Sequence, residues 1–230
     1  YELEARNIIS GLLRTRDSDD AILTFYRDYL ERNESRPSAG DLYRAGYNPR
    51  ALRSSFGSWL GFVHSMNGFS SDEDSAYRSL RPFLDSLEST PMSKSYKMVL
   101  LMALLNLDAL PGSVHIDQLT REFQIVAQRS AILARDVGTA LHDLKDLRKS
   151  LEKNPIAAWT GGKGTDGVSY FRYDNSTLTF LPDLSDQNRE ALQLLVRELI
   201  DWRLAEYINR DQSNQPQTFV GKIIHSSGKP

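Results

Sequence analysis

The sequence predicts a mainly α-helical fold that contains one β-hairpin. Apolar residues recur at helical spacing through most of the chain, for example in residues 2–14 and 21–31. Residues of strand type form two short runs, 168–173 and 178–181, and the turn-forming sequence Asp-Asn-Ser-Thr at 174–177 separates them. The 230 residues suffice for one large domain or two small ones, either with a sizeable core.

The first predicted unit, residues 1–67, contains clear helix boundaries within residues 36–62. Ser38 is a suitable N-cap, and Asp41 follows three residues later, as in a capping box. A second short helix begins at Pro49, because proline is favoured at the first helical position. The aromatic residues that are predicted to form the core of this unit are Tyr47, Phe56, Trp59 and Phe62.

The same segment is locally basic, although the whole chain has a net charge of -2. Three arginines face only one acid nearby in the sequence, Asp41, and two of them lie three residues apart on one predicted helix. Cations grouped in this way suit contacts with the phosphates of a DNA backbone. A solvated basic face is the alternative interpretation. The candidate nucleic-acid-binding residues of this unit are Arg44, Arg50, Arg53, Ser54 and Ser58.

A linker helix is predicted over residues 68–90, and a second helical domain over residues 91–210. Residues 96–107 are almost wholly apolar, which predicts a helix that is buried on most sides. Two more helices are predicted, over residues 119–126 and 136–151, from their spacing of apolar residues.

The pair Asn154-Pro155 is expected to end the helix of residues 136–151, and the hairpin follows it. Three helices and then a hairpin is the order of elements in a winged helix, so this domain is predicted to be winged-helix-like. A long helix over residues 185–208 closes the domain. Residues 211–230 are expected to begin a further, truncated segment, as in a fragment of a longer protein.

Composition narrows the possible chemistry. The absence of cysteine excludes disulfides, thiolate metal sites and a cysteine nucleophile, and it fits a reducing compartment such as the cytoplasm. None of the four histidines lies four residues from another, so a helical zinc-protease motif is absent. No apolar run is long enough to cross a bilayer. We therefore expect a non-enzymatic protein without a cofactor, a metal or a membrane partner.

A glycine-rich stretch, residues 161–167, does not match a phosphate-binding P-loop. A P-loop has four residues between its first glycine and the Gly-Lys-Ser/Thr, and it follows a strand and opens a helix. This stretch precedes a strand instead. A mobile loop is the favoured interpretation, and the alternative is that Lys163 contacts a nucleic-acid backbone beside the hairpin.

A first resemblance rests on the sequence Arg53-Ser54-Ser55-Phe56-Gly57-Ser58-Trp59 and the Pro-Ser helix start that precedes it. Over residues 21–66 the chain resembles the small helical repeats found beside homing endonucleases and in other DNA-handling proteins. It departs from their pattern at the two serines after Arg53, where a second basic residue is often present. The resemblance implies a small helical DNA-binding unit.

A second resemblance covers most of the chain. Residues 91–101 (PMSKSYKMVLL), 199–207 (LIDWRLAEY) and 222–230 (KIIHSSGKP) together look like the C-terminal accessory region of bacterial superfamily-two (DEAD/DEAH-box) DNA helicases. This resemblance implies a module attached to an ATP-driven motor domain of the same parent protein, used in DNA repair or in defence against foreign DNA. The motor's own motifs do not occur in this sequence.

These observations support three hypotheses in decreasing order. The first is a non-catalytic accessory module of a helicase that holds duplex or forked DNA through phosphate contacts. The second is a protein-interaction module that docks the motor or a nuclease, and the slightly acidic balance favours it. The third is an enzyme with a site that the sequence does not reveal. A contiguous basic face around the three arginines would support the first, and acids covering that face would support the second.

Overall fold

The computed structural model describes residues 19–162, 165 and 167–214, which form mainly α-helices and one small antiparallel sheet. The predicted helix of residues 2–14, Lys163 and the predicted segment after residue 214 lie outside the described residues. None of the described helices has both the length and the apolar composition that a membrane crossing requires.

The first half of the described chain is helical. Its helices are α1 (Asp19–Asn33), α2 (Ala39–Arg44), α3 (Arg53–Phe56), α4 (Trp59–Ser65) and α5 (Ser71–Ser89), with a 3-10 turn over Pro49–Leu52. The predicted capping box at the start of α2 is confirmed: the Ser38 hydroxyl accepts the Asp41 N–H, and the Asp41 carboxylate accepts the Ser38 N–H. These local signals were readable because cap and helix start lie within four residues of each other.

The second half contains the sheet. Its elements are α6 (Tyr96–Asn106), β1 (Ser113–His115), α7 (Ile116–Gln128), α8 (Ala131–Val137), α9 (Leu144–Leu151), α10 (Ala157–Trp159), β2 (Phe171–Asp174), β3 (Thr177–Phe180) and α11 (Arg189–Asn214). The predicted apolar helix is α6, and it is buried almost along its whole length.

The three strands form an antiparallel sheet in the order β1-β3-β2. The predicted hairpin is confirmed, and its two turn residues, Asn175 and Ser176, have positive φ angles of 45° and 60°, which suit a tight two-residue turn. The succession α6, β1, α7, α9, β2, β3 is the order of elements in a winged helix, with α8 inserted between its second and third helices.

Two predicted helix boundaries are wrong. The helix predicted over residues 136–151 is broken, because α8 ends at Gly138 (φ of 66°) and α9 begins after Asp143. The Asp143 carboxylate caps α9 by accepting the N–H groups of Lys145 and Asp146 at 2.8 and 3.0 Å. The expected stop at Pro155 is also absent, since the chain passes the proline in a π-helical turn (Glu152–Ile156) and continues into α10.

One hydrophobic core runs through the described residues. The long helix α11 packs against α2 and α5 on one side and against α6 on another. Its Trp202 is fully buried, as is Trp59 of α4. The division of the chain at residues 67 and 90 stays a prediction, and the core is continuous across both boundaries.

Candidate nucleic-acid interface

We call residues 36–59 the arginine unit, because it carries Arg36 and the three arginines predicted to bind nucleic acid. Arg36 itself is largely buried and forms an ion pair with Glu198 of α11 at 2.8 Å. The same carboxylate accepts the Ala39 N–H at 2.8 Å and the Trp59 indole N–H at 2.6 Å. Glu198 thus joins the start of α2, the start of α4 and Arg36 to the last helix.

Arg50 is committed to contacts inside the protein. Its guanidinium forms a two-point interaction with Glu206 of α11, with N–O distances of 2.8 and 2.9 Å. It also donates to the Glu88 carbonyl at 3.2 Å and lies 5.6 Å from the centre of the Trp202 ring. The hydrogen bonds to Glu206 raise the pKa of Arg50 above its ordinary value. Arg50 therefore ties the 3-10 turn to α11 and is not a free cation.

Arg44 and Arg53 are more exposed. Arg44 forms a 2.7 Å ion pair with Asp41, three residues before it, at the surface. Arg53 is exposed and has no ion pair with any residue that the structure describes. Only one of the three predicted arginines therefore lies open among the described residues.

The two serines of the predicted set differ. Ser54 is exposed, and its hydroxyl lies 3.5 Å from the Ala51 carbonyl. Ser58 is 1% exposed, and its hydroxyl accepts the Gly61 N–H at 3.0 Å as the N-cap of α4. The prediction that Ser58 contacts nucleic acid is wrong for this structure, because the hydroxyl is buried and occupied in capping. Lys163, the last of the predicted set, lies outside the described residues.

The arginine unit also meets acids that lie far from it in the sequence. Glu206, which neutralises Arg50, lies 156 residues later in the chain, and Glu198, which neutralises Arg36, lies 162 residues later. An inspection of the charges within residues 36–62 could not reveal either acid, because both lie on the last helix. The arginine unit is thus an attachment surface between the N-terminal helices and α11.

A different set of cations lies open to solvent on α9 and on the π-helical turn that follows it. We call Lys145, Lys149 and Lys153 the lysine face; all three side chains are exposed. Lys145 and Lys149 lie on successive turns of one side of α9, and Lys153 follows four residues later in the π-helical turn that continues the helix. Lys149 has a 3.2 Å contact with Asp146, and both side chains of that pair are largely exposed. Lys145 and Lys153 have no ion pair among the described residues.

Two acids close in sequence to the lysine face, Asp143 and Glu152, accept hydrogen bonds from groups other than the three lysines. Asp143 caps α9 through two backbone N–H groups. Glu152 accepts the Tyr173 hydroxyl at 2.5 Å and the Arg148 guanidinium at 3.0 Å, and the hydrogen bond from Tyr173 lowers the pKa of Glu152. Among the described residues, Asp146 is therefore the one acid that forms an ion pair with a lysine of the lysine face.

The hairpin lies against the neighbouring helices instead of projecting from them. The Ser176 carbonyl accepts the Ile116 N–H at 2.8 Å, and the Ser176 hydroxyl accepts the Arg148 guanidinium at 3.0 Å. Tyr170 is buried and donates its hydroxyl to the Pro82 carbonyl at 2.9 Å. Base stacking by Tyr170 is therefore excluded in this conformation.

The sequence analysis missed the lysine face, although its spacing was visible. The three lysines alternate with Asp143, Asp146 and Glu152, and a mixed run of charges on a helix is typical of an ordinary solvated face. The signal was a lysine at every fourth position of a helix that was expected to end at Pro155. Only the fold shows that the chain continues helically past Pro155, so that all three lysines lie on one helical segment.

Within the described part of the chain, no group of three or more His, Asp or Glu side chains is arranged to hold a metal ion. Comparison of the chain with protein-family models, with curated proteins and with solved structures found no match.

Proposed function

We propose that this chain is a non-catalytic DNA-binding module that holds duplex DNA through phosphate contacts made by the lysine face. The observation that carries the proposal is the placement of three exposed lysines on α9 and the π-helical turn after it, just before the hairpin in an order of elements like that of a winged helix. In helix-turn-helix proteins the corresponding recognition helix lies in the major groove, between two phosphate backbones.

The choice of lysine fits this role. A lysine ammonium is a compact charge on a flexible stem, so it follows a phosphate without requiring a fixed two-point geometry. Phosphate contacts of this kind supply affinity and position a protein on DNA, but they do not read its sequence. The module would therefore bind many sequences with similar affinity, as suits an accessory part of a larger DNA-handling protein.

The resemblance to helicase accessory regions extends the proposal. A motor domain elsewhere in a parent protein would hydrolyse ATP, and this module would hold the duplex or forked DNA on which the motor acts, in the cytoplasm. In that arrangement the arginine unit serves the attachment of the N-terminal helices to α11, and the lysine face serves the DNA.

The test is binding of the chain to a labelled duplex at several salt concentrations. A Lys145→Gln/Lys149→Gln/Lys153→Gln variant should bind more weakly. Its log affinity should depend less on log salt, by about one unit for each phosphate that the variant no longer neutralises. The matched control is Arg44→Gln/Arg53→Gln, which removes two exposed cations from the arginine unit and should leave binding nearly unchanged.

Two results would overturn the proposal. One is the absence of any binding by the unmodified chain at low salt. The other is weaker binding in the arginine control while the lysine variant binds normally, which would return the DNA to the arginine unit.

A protein-interaction module is the second candidate. The observation that favours it is the exposure of two apolar side chains on packed neighbouring helices: Ile125 of α7 is 50% exposed and Leu144 of α9 is 42% exposed. A protein partner on this side would no longer bind an Ile125→Glu variant and would still bind the lysine variant, whereas DNA binding would show the reverse.

A further inference from the structure

A cavity of about 540 Å³ opens at the start of α6, beside the π-helical turn that follows α9. Its size lies within the range of small-ligand sites. The polar residues that line it are Ser93, Lys94, Tyr96, Lys97 and Asn154. No acid is among the described residues that line this cavity, so its polar groups are two ammonium ions, hydroxyls and an amide.

The ammonium groups of Lys94 and Lys97 each have N–H donors that no hydrogen bond to a described residue uses. Lys97 donates to the Thr90 hydroxyl, and Lys94 donates to the Asp136 carbonyl at 2.9 Å and reaches the Tyr96 hydroxyl at 3.5 Å. Each ammonium has three N–H donors. Among the described residues, Lys97 therefore keeps two donors and Lys94 keeps one, and neither ammonium has a carboxylate partner.

The carboxylate of Asp136, whose backbone carbonyl meets Lys94, is not among the groups that line the cavity. The Asp136 carboxylate accepts the Ser95 N–H at 2.9 Å, the Ser95 hydroxyl at 2.7 Å and the Tyr207 hydroxyl at 3.0 Å. Its negative charge is thus satisfied by other donors, and only its backbone carbonyl meets Lys94. Asp136 does not occupy the space that a ligand would take.

The local field favours an anion. Lys97 is half-buried, and burial together with the positive charge of Arg203 lowers the pKa of Lys97 to about 8. A cation that has lost part of its hydration and lies near a second cation is stabilised by a negative ligand. The helix α6 also begins here without a side-chain cap, because the Ser95 hydroxyl is engaged with Asp136. Its first-turn N–H groups add to the positive potential.

We infer that this cavity binds a phosphate monoester, either a free mononucleotide or the 5′-phosphate end of a DNA strand. A terminal phosphate carries up to two negative charges and several acceptor oxygens, which match the two ammonium groups, the Ser93 hydroxyl and the Asn154 amide, whereas the Tyr96 hydroxyl already donates to the Asp136 carbonyl. The volume of about 540 Å³ suits a ligand the size of one nucleotide. This inference does not depend on the lysine face, whose side chains are not among those that line the cavity.

The experiment uses the whole chain and four probes: inorganic phosphate, dAMP, and one short oligonucleotide with either a 5′-phosphate or a 5′-hydroxyl. Binding is measured by calorimetry and by the rise in melting temperature. We expect dAMP to bind and the 5′-phosphorylated strand to bind about tenfold more tightly than its hydroxyl counterpart, a difference of ~1.4 kcal/mol. A preference for the strand over dAMP would identify the DNA end as the source of the phosphate.

Lys97→Met removes the charge and keeps the length of the side chain, and it should abolish the binding of dAMP and the preference for the 5′-phosphate. Asn154→Asp is a second variant at an exposed position, and it should abolish both by placing a negative charge in the cavity even if Lys97→Met fails to fold. Lys149→Met is the control and should leave the 5′-phosphate preference intact.

The inference is overturned if neither phosphate nor dAMP binds and the 5′-phosphate has no effect, or if Asn154→Asp binds dAMP like the unmodified chain. The lysine-face variant separates the two proposals. It should lose general duplex affinity and keep the preference for the 5′-phosphate, so either proposal can fail alone.

Discussion

The arginine unit and the lysine face carry similar numbers of cations and use them in opposite ways. In the arginine unit, Arg36 and Arg50 form close ion pairs with Glu198 and Glu206 of α11. In the lysine face, the one ion pair among the described residues is the exposed contact of Lys149 with Asp146. The sequence does not distinguish these cations, yet Arg36 and Arg50 stabilise the fold through ion pairs, whereas the lysines of the lysine face are exposed to solvent.

The difference teaches how to tell a structural cation from a binding one. A buried ion pair holds its partners in place, and the loss of one partner leaves the other charge uncompensated at a cost of several kcal/mol. An exposed pair contributes ~0–1 kcal/mol, so its members can turn to a ligand at little expense to the fold. Whether a cation is neutralised therefore depends on the acids that contact it in the structure, and not on the acids that lie nearby in the sequence.

The largest effect is expected from Glu198→Ala, which breaks the arginine unit's attachment to α11. The change leaves Arg36 without its closest counter-ion and removes the acceptor of the Ala39 and Trp59 N–H groups. We expect the free energy of unfolding to fall by about 3–5 kcal/mol. Denaturant unfolding followed by tryptophan fluorescence measures it.

Glu198→Gln is the matched control, because it keeps an acceptor oxygen and should cost less than the alanine variant. Lys145→Ala in the lysine face should change the free energy of unfolding by less than about 0.5 kcal/mol. Equal decreases for Glu198→Ala and Lys145→Ala would show that the two regions do not differ in their use of cations.

A second effect of similar size concerns pH. Glu88 is buried, its carboxylate accepts the N–H groups of Trp59 and Leu60, and burial raises its pKa from 4.5 to about 7 in spite of those hydrogen bonds. A carboxyl whose pKa is raised on folding stabilises the protein fully below the unfolded pKa. That contribution, about 3 kcal/mol, is lost as pH rises from about 4.5 to about 7.

The measurement is the free energy of unfolding at intervals between pH 4.5 and 7.5 for the unmodified chain and for Glu88→Gln. The variant cannot titrate at this position, so the difference between the two proteins should shift in favour of Glu88→Gln by about 3 kcal/mol as pH rises. A difference that stays constant with pH would mean that Glu88 keeps its ordinary pKa. Glu88 would then be a permanent negative charge in contact with the arginine unit.

Much of the fold was predictable from the sequence because the signals are local. The capping box of Ser38 and the two-residue hairpin turn depend on residues within a few positions of each other. The burial of α6 follows from an unbroken apolar run. The strand β1 was missed because it has three residues and exists through its pairing with β3, more than sixty positions later.

The candidate site was less predictable than the fold, because its contacts, like those of β1, join residues that are far apart in the sequence. The commitment of Arg50 depends on Glu206, which reaches it through the packing of α11 against the N-terminal helices. The burial of Ser58 depends on the same packing. The spacing of the lysines was readable from the sequence, but their role depends on the tertiary placement of α9. Local patterns predict helices and caps, whereas the availability of a charge is a property of the assembled fold.

A third effect separates the stability of the arginine unit from DNA binding. Glu206→Gln removes the counter-charge of Arg50 and keeps one acceptor oxygen, so the free energy of unfolding should fall by about 1–2 kcal/mol. Arg50 lies outside the lysine face, so the affinity for duplex DNA and its salt dependence should stay close to those of the unmodified chain. Denaturant unfolding and duplex binding at several salt concentrations measure the two quantities.

The double variant Glu206→Gln/Arg50→Gln is the control, and its DNA binding should also match that of the unmodified chain. Tighter binding by Glu206→Gln that is lost in the double variant would contradict the proposal, because it would place Arg50 at the DNA.

The smallest effect is expected from Asp146→Asn in the lysine face. The pair with Lys149 is exposed, so the free energy of unfolding should change by no more than about 0.5 kcal/mol. Duplex affinity should nevertheless rise severalfold at low salt, because an acid no longer competes with phosphate for Lys149.

Asp174→Asn is the matched control. Asp174 pairs with Arg172 on the hairpin at similar exposure, and its substitution should leave DNA affinity unchanged. A rise in the control alone would place the DNA on the hairpin, and a rise in neither would remove the lysine face from the interface, since a cation that touches phosphate must respond to the loss of its competing acid.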